Sequence, residues 1–340
     1  MPVIRQFRTI DAHAAGEPLR LIVDGYPAPK GRTMLEKRAW VKAHADAIRR
    51  ALMLEPRGHA DMYGAVLTEP VSAEADAGVL FMHNEGYSTM CGHGIIAVTT
   101  MAIERGLVHP RREGEIVFDA PAGLVRASAH LAQANGANGV GRRVERVSFV
   151  NVPSFVLYPG LTVRVGSREV RADVAFGGAF YAIVDAESVG MPILPARLPD
   201  LRRIGMEIKR AVEAAVTVEH PLDGGLKGIY GTIFTGPPDR EDADLKNVTV
   251  FADAEVDRSP CGTGTCAVMA VLDAMGLLAP GRDFCHESIV GTVFKGRVAD
   301  RTQVGDSPAI VPELEGSAWI TGEHTFLVDD EDPLRGGFRL

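Results

Sequence analysis

Apolar positions along this chain fall into two kinds of run, and each kind occurs twice. Residues 34 to 53 keep Leu35, Trp40, Ala43, Ala47, Ile48, Ala51 and Leu52 on one stripe at helical spacing. A Thr33-x-x-Glu36 capping box opens this run and Pro56 lies beyond its end, so a single helix is expected. Residues 201 to 216 repeat the pattern with Leu201, Ile204, Ile208, Val212 and Ala215, Asp200 standing as N-cap and Pro221 past the stop. Shorter runs predict strands: Tyr63 to Thr68 and Gly78 to Phe81 in the first half, Tyr230 to Thr235 and Val248 to Phe251 in the second.

These strands lead into the same motif. Cys91-Gly92-His93-Gly94-Ile95-Ile96-Ala97-Val98 and Cys261-Gly262-Thr263-Gly264-Thr265-Cys266-Ala267-Val268 share the pattern C-G-x-G-x-x-A-V and lie half of the 340-residue chain apart, as do Phe81 and Phe251. Gly106-Leu107 and Gly276-Leu277 follow at equal distances, where a helix of about three turns would stop at a left-handed glycine. Each half therefore reads strand, loop, strand, tight turn, cysteine, helix. The expected architecture is a duplicated α/β chain divided around Pro159-Gly160, with residues 1–160 carrying Cys91 and residues 161–310 carrying Cys261. Gln133 to Gly139 reads as a flexible hairpin or loop, and the charges at Arg202-Arg203 and Asp329 to Asp332 as solvated surface.

Composition narrows the partners. A chain that is 46% apolar and 24% charged can bury one large core or two ordinary ones. Its net charge of −8 leaves no positive excess for a phosphate backbone or an anionic lipid surface. No run approaches a membrane span, and Met1 to Gln6 does not open a leader, so a soluble cytoplasmic protein is expected, with neither nucleic acid nor membrane as partner. The four cysteines are too few for a secreted disulfide framework and read as reduced.

A cysteine just ahead of Gly-x-Gly and a helix sits where backbone N–H groups converge and the helix dipole is positive. That setting is expected to favour the thiolate, and the glycines to let a ligand carboxylate approach the amides. Two such thiols facing one carbon acid could serve as base and acid on opposite faces, which is what stereoinversion requires. A lone buried cysteine would more simply be core packing, and that reading is kept for Cys266 and Cys285. A zinc set of Cys261, Cys266, Cys285 and His286 has atypical spacing and no counterpart in the other half, so no metal is expected. His93 could tune the first thiol or be a structural histidine; Asp257 could pair with a substrate ammonium or cap the turn before Cys261. Neither Gly-x-Gly continues as a dinucleotide fingerprint, and the C-x-x-x-x-C of Cys261 and Cys266 is not a dithiol redox spacing.

Met90-Cys91-Gly92-His93-Gly94 and Asp257-Arg258-Ser259-Pro260-Cys261-Gly262-Thr263-Gly264-Thr265 together resemble the proline racemase superfamily. The resemblance extends through Ala15 to Pro18, Leu54 to His59, Asn151 to Phe155, Phe176-Gly177-Gly178 and Asp332-Pro333-Leu334. It implies a cofactor-independent enzyme of α+β class with the fold of diaminopimelate epimerase: two pseudo-symmetric α/β halves, each wrapping a central helix, with the active site in the cleft between them. It implies further that Cys91 and Cys261 are the acid/base pair and that backbone at Gly92, His93, Gly94, Gly262 and Thr263 holds the substrate carboxylate. Asp257 would lie near the imino nitrogen, the chain would be a homodimer, and residues 311–340 would return to the first half.

Within that superfamily the surroundings point two ways. Cysteine at both positions is similar to proline racemases and hydroxyproline 2-epimerases, whereas the trans-3-hydroxy-L-proline dehydratases typically carry threonine at the second. Yet His83 to Met90 and Asp61 to Gly64 resemble the dehydratase branch, and Phe251 resembles both racemases and dehydratases, which makes Tyr63, His83 and Phe251 specificity candidates. The expected activity is racemisation or 2-epimerisation of proline or a hydroxyproline. Dehydration of a 3-hydroxyproline is the alternative, and an imino-acid-binding or thiol-redox protein stands outside both.

Overall fold

Runs of β-branched and aromatic residues separated by glycine turns build most of the regular structure of this chain as paired strands, and the few helices carry the crossovers between parallel neighbours. The computed structural model describes residues 4–132, 143–278 and 281–340. The stretch Gln133 to Gly139 lies outside them.

Two compact units form, residues 1–149 with 317–340, and residues 150–316. In the first, β1 (Ile4–Ala14), β2 (Glu17–Asp24), α1 (Met34–His44), α2 (Asp46–Met53), β3 (Tyr63–Thr68), β4 (Ala77–His83), β5 (Tyr87–Ser88), α3 (Gly92–Arg105), β6 (Glu115–Ala120), β7 (Gly123–Leu131) and β8 (Val144–Val150) follow in order. In the second come β9 (Ser154–Val165), β10 (Arg168–Phe176), β11 (Phe180–Asp185), α4 (Leu198–Ala215), β12 (Glu219–His220), β13 (Asp223–Lys227), β14 (Ile229–Gly236), β15 (Leu245–Phe251), β16 (Glu255–Asp257), α5 (Gly262–Ala274), β17 (Phe284–Glu287), β18 (Val293–Val304) and β19 (Ser307–Gly316). The last strand, β20 (Ala318–Asp329), pairs antiparallel with β1 in the first unit, from Ile4 opposite Asp329 to Ala14 opposite Ala318.

The duplication read in the sequence is repeated in the pairing. In the first unit β2 runs parallel to β3, β3 antiparallel to β4, β4 antiparallel to β5 and parallel to β6, and β6 antiparallel to β7. In the second, β11, β14, β15, β16, β17 and β18 follow the same scheme in the same order. There β18 pairs with β19, β19 with β9, β9 with β10 and β10 with β11, which closes an eight-stranded barrel. Helix α5 packs on β9, β10, β11, β18 and β19, and α3 on β1, β2, β3, β7 and β20. Both helices are buried on every side through most of their length, Gly92 to Ala102 and Gly262 to Val271, which is why neither shows the apolar stripe of a surface helix.

Three local expectations are corrected. The run from 34 to 53 is two helices, broken at Ala45 where φ is −127° and ψ 6°. The break lets Met34 and Val41 on one side and Ala51, Leu52 and Met53 on the other enter one core with Phe7, Ile22, Val66, Leu80 and Met82. Asp200 is not the N-cap of α4: Pro195 and Pro199 favour an earlier entry, and Asp200 pairs with Arg197 in the first turn at 3.2 Å. Pro159-Gly160 is not a linker but an irregularity inside β9. Gly160 has φ +60° there and donates its N–H to Asp173 Oδ1 at 2.7 Å, and the β9–β10 register shifts at this point. The division accordingly falls at residue 149, before β9, and residues 311–316 stay with the second unit as the end of β19.

Candidate active site

Cys91 stands between β5 and α3 as the N-cap of the helix, with ordinary extended backbone at φ −147° and ψ 110°. Its Sγ accepts the Gly94 N–H at 3.2 Å and lies 3.3 Å from His93 Nδ1. His93 is fully buried, and desolvation lowers its pKa to about 3, so the imidazole beside the thiol is neutral at neutral pH. Tyr63 and His83 face each other across the β3–β4 pair. The Tyr63 ring stands edge-on to His93 at 4.8 Å and lies 5.6 Å from the His83 ring, and its hydroxyl is bonded to Ser88 Oγ. The first unit thus gathers Cys91, His93, Tyr63 and His83 into one cluster.

Gly94 is required there by space. A Cβ on it would lie 2.4 Å from Phe81 Cε1 and 2.9 Å from Cys91 Sγ. In the second unit a Cβ on Gly264 would lie 2.9 Å from both Cys261 Sγ and Ile233 Cδ1. The second glycine of each motif lets the sulfur and the strand behind it pack against the first turn. That is a steric role beside the ligand approach expected from the sequence.

Cys261 occupies the matching position before α5, but its backbone differs: φ is +62° and ψ 105°, in a region that L-residues rarely adopt and that costs about 1–3 kcal/mol. Its Sγ is 3.7 Å from the Tyr181 hydroxyl and 4.0 Å from Thr263 Oγ1, and those two oxygens are 2.6 Å apart. Asp257 Oδ1 accepts the N–H of Ser259 at 2.8 Å and its hydroxyl at 2.7 Å, and Ser259 Oγ in turn accepts the Cys261 N–H at 3.1 Å. Asp257 therefore braces the turn that presents Cys261. Burial pushes its carboxyl up to about 6, against the lowering by the Ser259 bonds.

The expectation that a helix start favours the thiolate fails at Cys261. Burial raises this thiol well above its ordinary value, and the Asp257 charge raises it further. A helix terminus is worth about 0.3–1 kcal/mol, under one pKa unit, whereas full burial shifts a group by up to ~3–5 units, so desolvation wins.

Phe251 is two rings removed from the sulfur. It stacks on Tyr230 at 5.4 Å, and Tyr230 stands edge-on to Tyr181 at 5.9 Å. Tyr181 itself was missed in the sequence. Its signal is a single polar-tipped side chain in the apolar strand Phe180-Tyr181-Ala182-Ile183-Val184, since a buried tyrosine hydroxyl needs a partner. Gly92, Gly262 and Thr263 occupy first helical turns, where the N–H groups have no acceptor within the helix.

Cys266 is buried within α5 and Cys285 half-buried in β17, both with thiols raised by burial. No three His, Cys, Asp or Glu side chains converge as metal ligands among the described residues. Nor is any helix among them long and apolar enough to cross a membrane.

Fold and site together define an α/β protein with a thiol at the start of a buried helix in each of two matching units. The family model for proline racemase matches residues 9–339. The chain is 50% identical to a trans-3-hydroxy-L-proline dehydratase of Bacillus cereus over the full length of both, and 47% identical to a 3-hydroxyproline 2-epimerase of Burkholderia multivorans over 99% of each. A solved hydroxyproline epimerase of Agrobacterium vitis, holding trans-4-hydroxy-L-proline, superimposes with a TM-score of 0.89 at 31% identity, covering 99% of this chain and 95% of that one. This chain belongs to the proline racemase family.

Proposed function

We propose that this protein is a cofactor-independent racemase or 2-epimerase of proline or a hydroxyproline, with Cys91 and Cys261 exchanging the Cα proton. One observation carries the reading: cysteine begins the buried helix of both matching units, each sulfur beside a group that can hold or pass a proton. These groups are His93 Nδ1 at 3.3 Å and the Tyr181 hydroxyl at 3.7 Å. In the proposed reaction one sulfur, as thiolate, removes the Cα proton, and the other, as thiol, delivers a proton to the opposite face. Amides of the two helix starts take up the charge that moves onto the carboxylate. Asp257 would meet the ring nitrogen, and burial, reinforced by the Asp257 charge, keeps Cys261 the protonated partner in the resting enzyme. The substrate class follows the names of the Burkholderia relative and of the Agrobacterium structure with its bound hydroxyproline.

Dehydration of trans-3-hydroxy-L-proline is a second reading, favoured by the Bacillus cereus relative. It needs one base only: after Cα–H abstraction the 3-hydroxyl takes up a proton and leaves as water, and the second thiol has no proton to return. Cysteine at 261 favours the two-thiol reaction.

Proton NMR in D2O with L-proline, trans-4-hydroxy-L-proline and trans-3-hydroxy-L-proline in separate tubes decides between them. The expected result is loss of a Cα–H signal with appearance of the 2-epimer. Consumption of the 3-hydroxy compound alone, with imine signals and no epimer, would establish the dehydratase instead.

A further inference from the structure

The two cysteines share a motif but not a backbone, and beside the second a buried trio of polar side chains, Asn247, Thr265 and His286, grips the peptide that precedes it. A non-glycine residue at φ +62° drifts back to negative φ unless its surroundings fix both adjoining peptide groups. At Cys261 both are fixed. The preceding carbonyl, Pro260 O, accepts from Asn247 Nδ2 at 2.6 Å and from Thr265 Oγ1 at 3.1 Å. The Cys261 N–H goes to Ser259 Oγ, and the Cys261 carbonyl accepts the Thr265 N–H at 2.7 Å. His286 Nδ1 lies 2.9 Å from Thr265 Oγ1 and 3.1 Å from Asn247 Nδ2, holding the two donors together. Asn247 and His286 are brought side by side by the parallel β15–β17 pair, and all three side chains are fully buried. In the first motif the position of Thr265 is taken by Ile95, which can supply no hydroxyl, and Cys91 is extended.

We propose that Asn247, Thr265 and His286 are positioning residues that hold the Cys261 backbone at positive φ and thereby aim its Sγ toward Tyr181, Thr263 and the substrate. The inference rests on the reading of Cys261 as a proton-transfer group. None of the three touches the reacting atoms; they act through the peptide on which the thiol is mounted. A displacement of about 1 Å at a reacting group costs on the order of 10²-fold in rate, so release of this backbone is felt in turnover before it is felt in binding.

Thr265→Val removes the hydroxyl with little change of shape, and Thr265→Ser restores it; Asn247→Leu removes the other donor and serves should Thr265→Val not fold. Crystal structures of the variants report φ at Cys261, and epimerisation is followed by proton NMR in D2O with whichever of the three imino acids wild-type turns over. The expected result is a relaxed, negative φ at Cys261 and a fall of about 10²-fold in kcat with KM within about threefold, Thr265→Ser returning kcat to within a few-fold. A φ that stays near its wild-type value in both Thr265→Val and Asn247→Leu, or a relaxed φ with unchanged kcat, overturns the proposal. If wild-type exchanges no Cα proton in any of the three compounds, the functional reading falls, and φ at Cys261 in the variants still decides whether the cluster holds the backbone.

Discussion

The hydroxyl of Tyr181 stands beside Cys261 at 3.7 Å and was not read from the sequence, and its surroundings say what it can do. Burial holds the phenol well above its ordinary value, so it stays protonated and can donate to Thr263 or toward the sulfur. Tyr181→Phe keeps the ring against Tyr230 and deletes only that donor. The expected outcome is a loss of roughly 10- to 100-fold in kcat, with a stability change of about 1 kcal/mol, measured by steady-state kinetics and thermal melts. An unchanged kcat would leave the hydroxyl a structural partner of Thr263 alone. At this scale the cysteines were legible because they repeat, and Tyr63 and His83 because the stretches Asp61 to Gly64 and His83 to Met90 resemble the dehydratase branch of the superfamily. The roles of Tyr181, Asn247 and His286 were not, because strand pairing brings them there from 80 and 14 residues upstream of Cys261 and 25 downstream.

Helices α3 and α5 show what an element can hide from its own sequence. Their apolar residues face every direction, so periodicity could place the helix after the cysteine but not say that strands pack around it. The glycine stops were readable: Gly106 and Gly276 both have left-handed φ, and Leu107 and Leu277 return their N–H groups to Ala102 and Leu272. The break at Ala45 was not, since an unbroken apolar stripe fits one long helix as well as two short ones. Gly177 shows how closely α5 approaches its barrel: a Cβ there would lie 2.2 Å from Thr263 O and 2.7 Å from Ala267 N, both backbone atoms that cannot swing aside. Gly177→Ala is therefore expected to destabilise by about 1–3 kcal/mol or more and to shift the start of α5 with Thr263 and Cys261. Gly86→Ala, with nothing within 4 Å, is the control expected to stay close to wild-type in a urea melt. Equal midpoints for the two variants would mean that α5 moves freely against β10.

The duplicated topology was legible at the scale of the whole chain from one motif and its flanking strands, but the electrostatic consequence of burying so many polar groups emerges only from the fold. His93 and His286 are both fully buried with pKa values lowered by desolvation to about 3. The unfolded chain takes up protons at these two sites near pH 6.5 and the folded one does not, so their contribution to stability is intact above pH 6.5 and is lost as pH falls toward 3. Asp257 works in the opposite sense. Its folded pKa of about 6 lies above the unfolded value, so the native state gains a proton first and is favoured as pH drops from 6 toward 4. Between pH 7 and pH 5 each histidine costs about 2 kcal/mol and Asp257 returns about 1, leaving a net loss of roughly 3 kcal/mol from these three groups. The expected measurement is a urea midpoint clearly lower at pH 5 than at pH 7, with the gap narrowed by about two-thirds in His286→Gln, whose amide does not titrate. Asp257→Asn should act the other way, relatively more stable at pH 7 and steeper in its loss on acidification. If wild-type and His286→Gln lose the same stability between pH 7 and pH 5, the histidine is not held neutral in the native barrel, and the acid sensitivity of the protein has another origin.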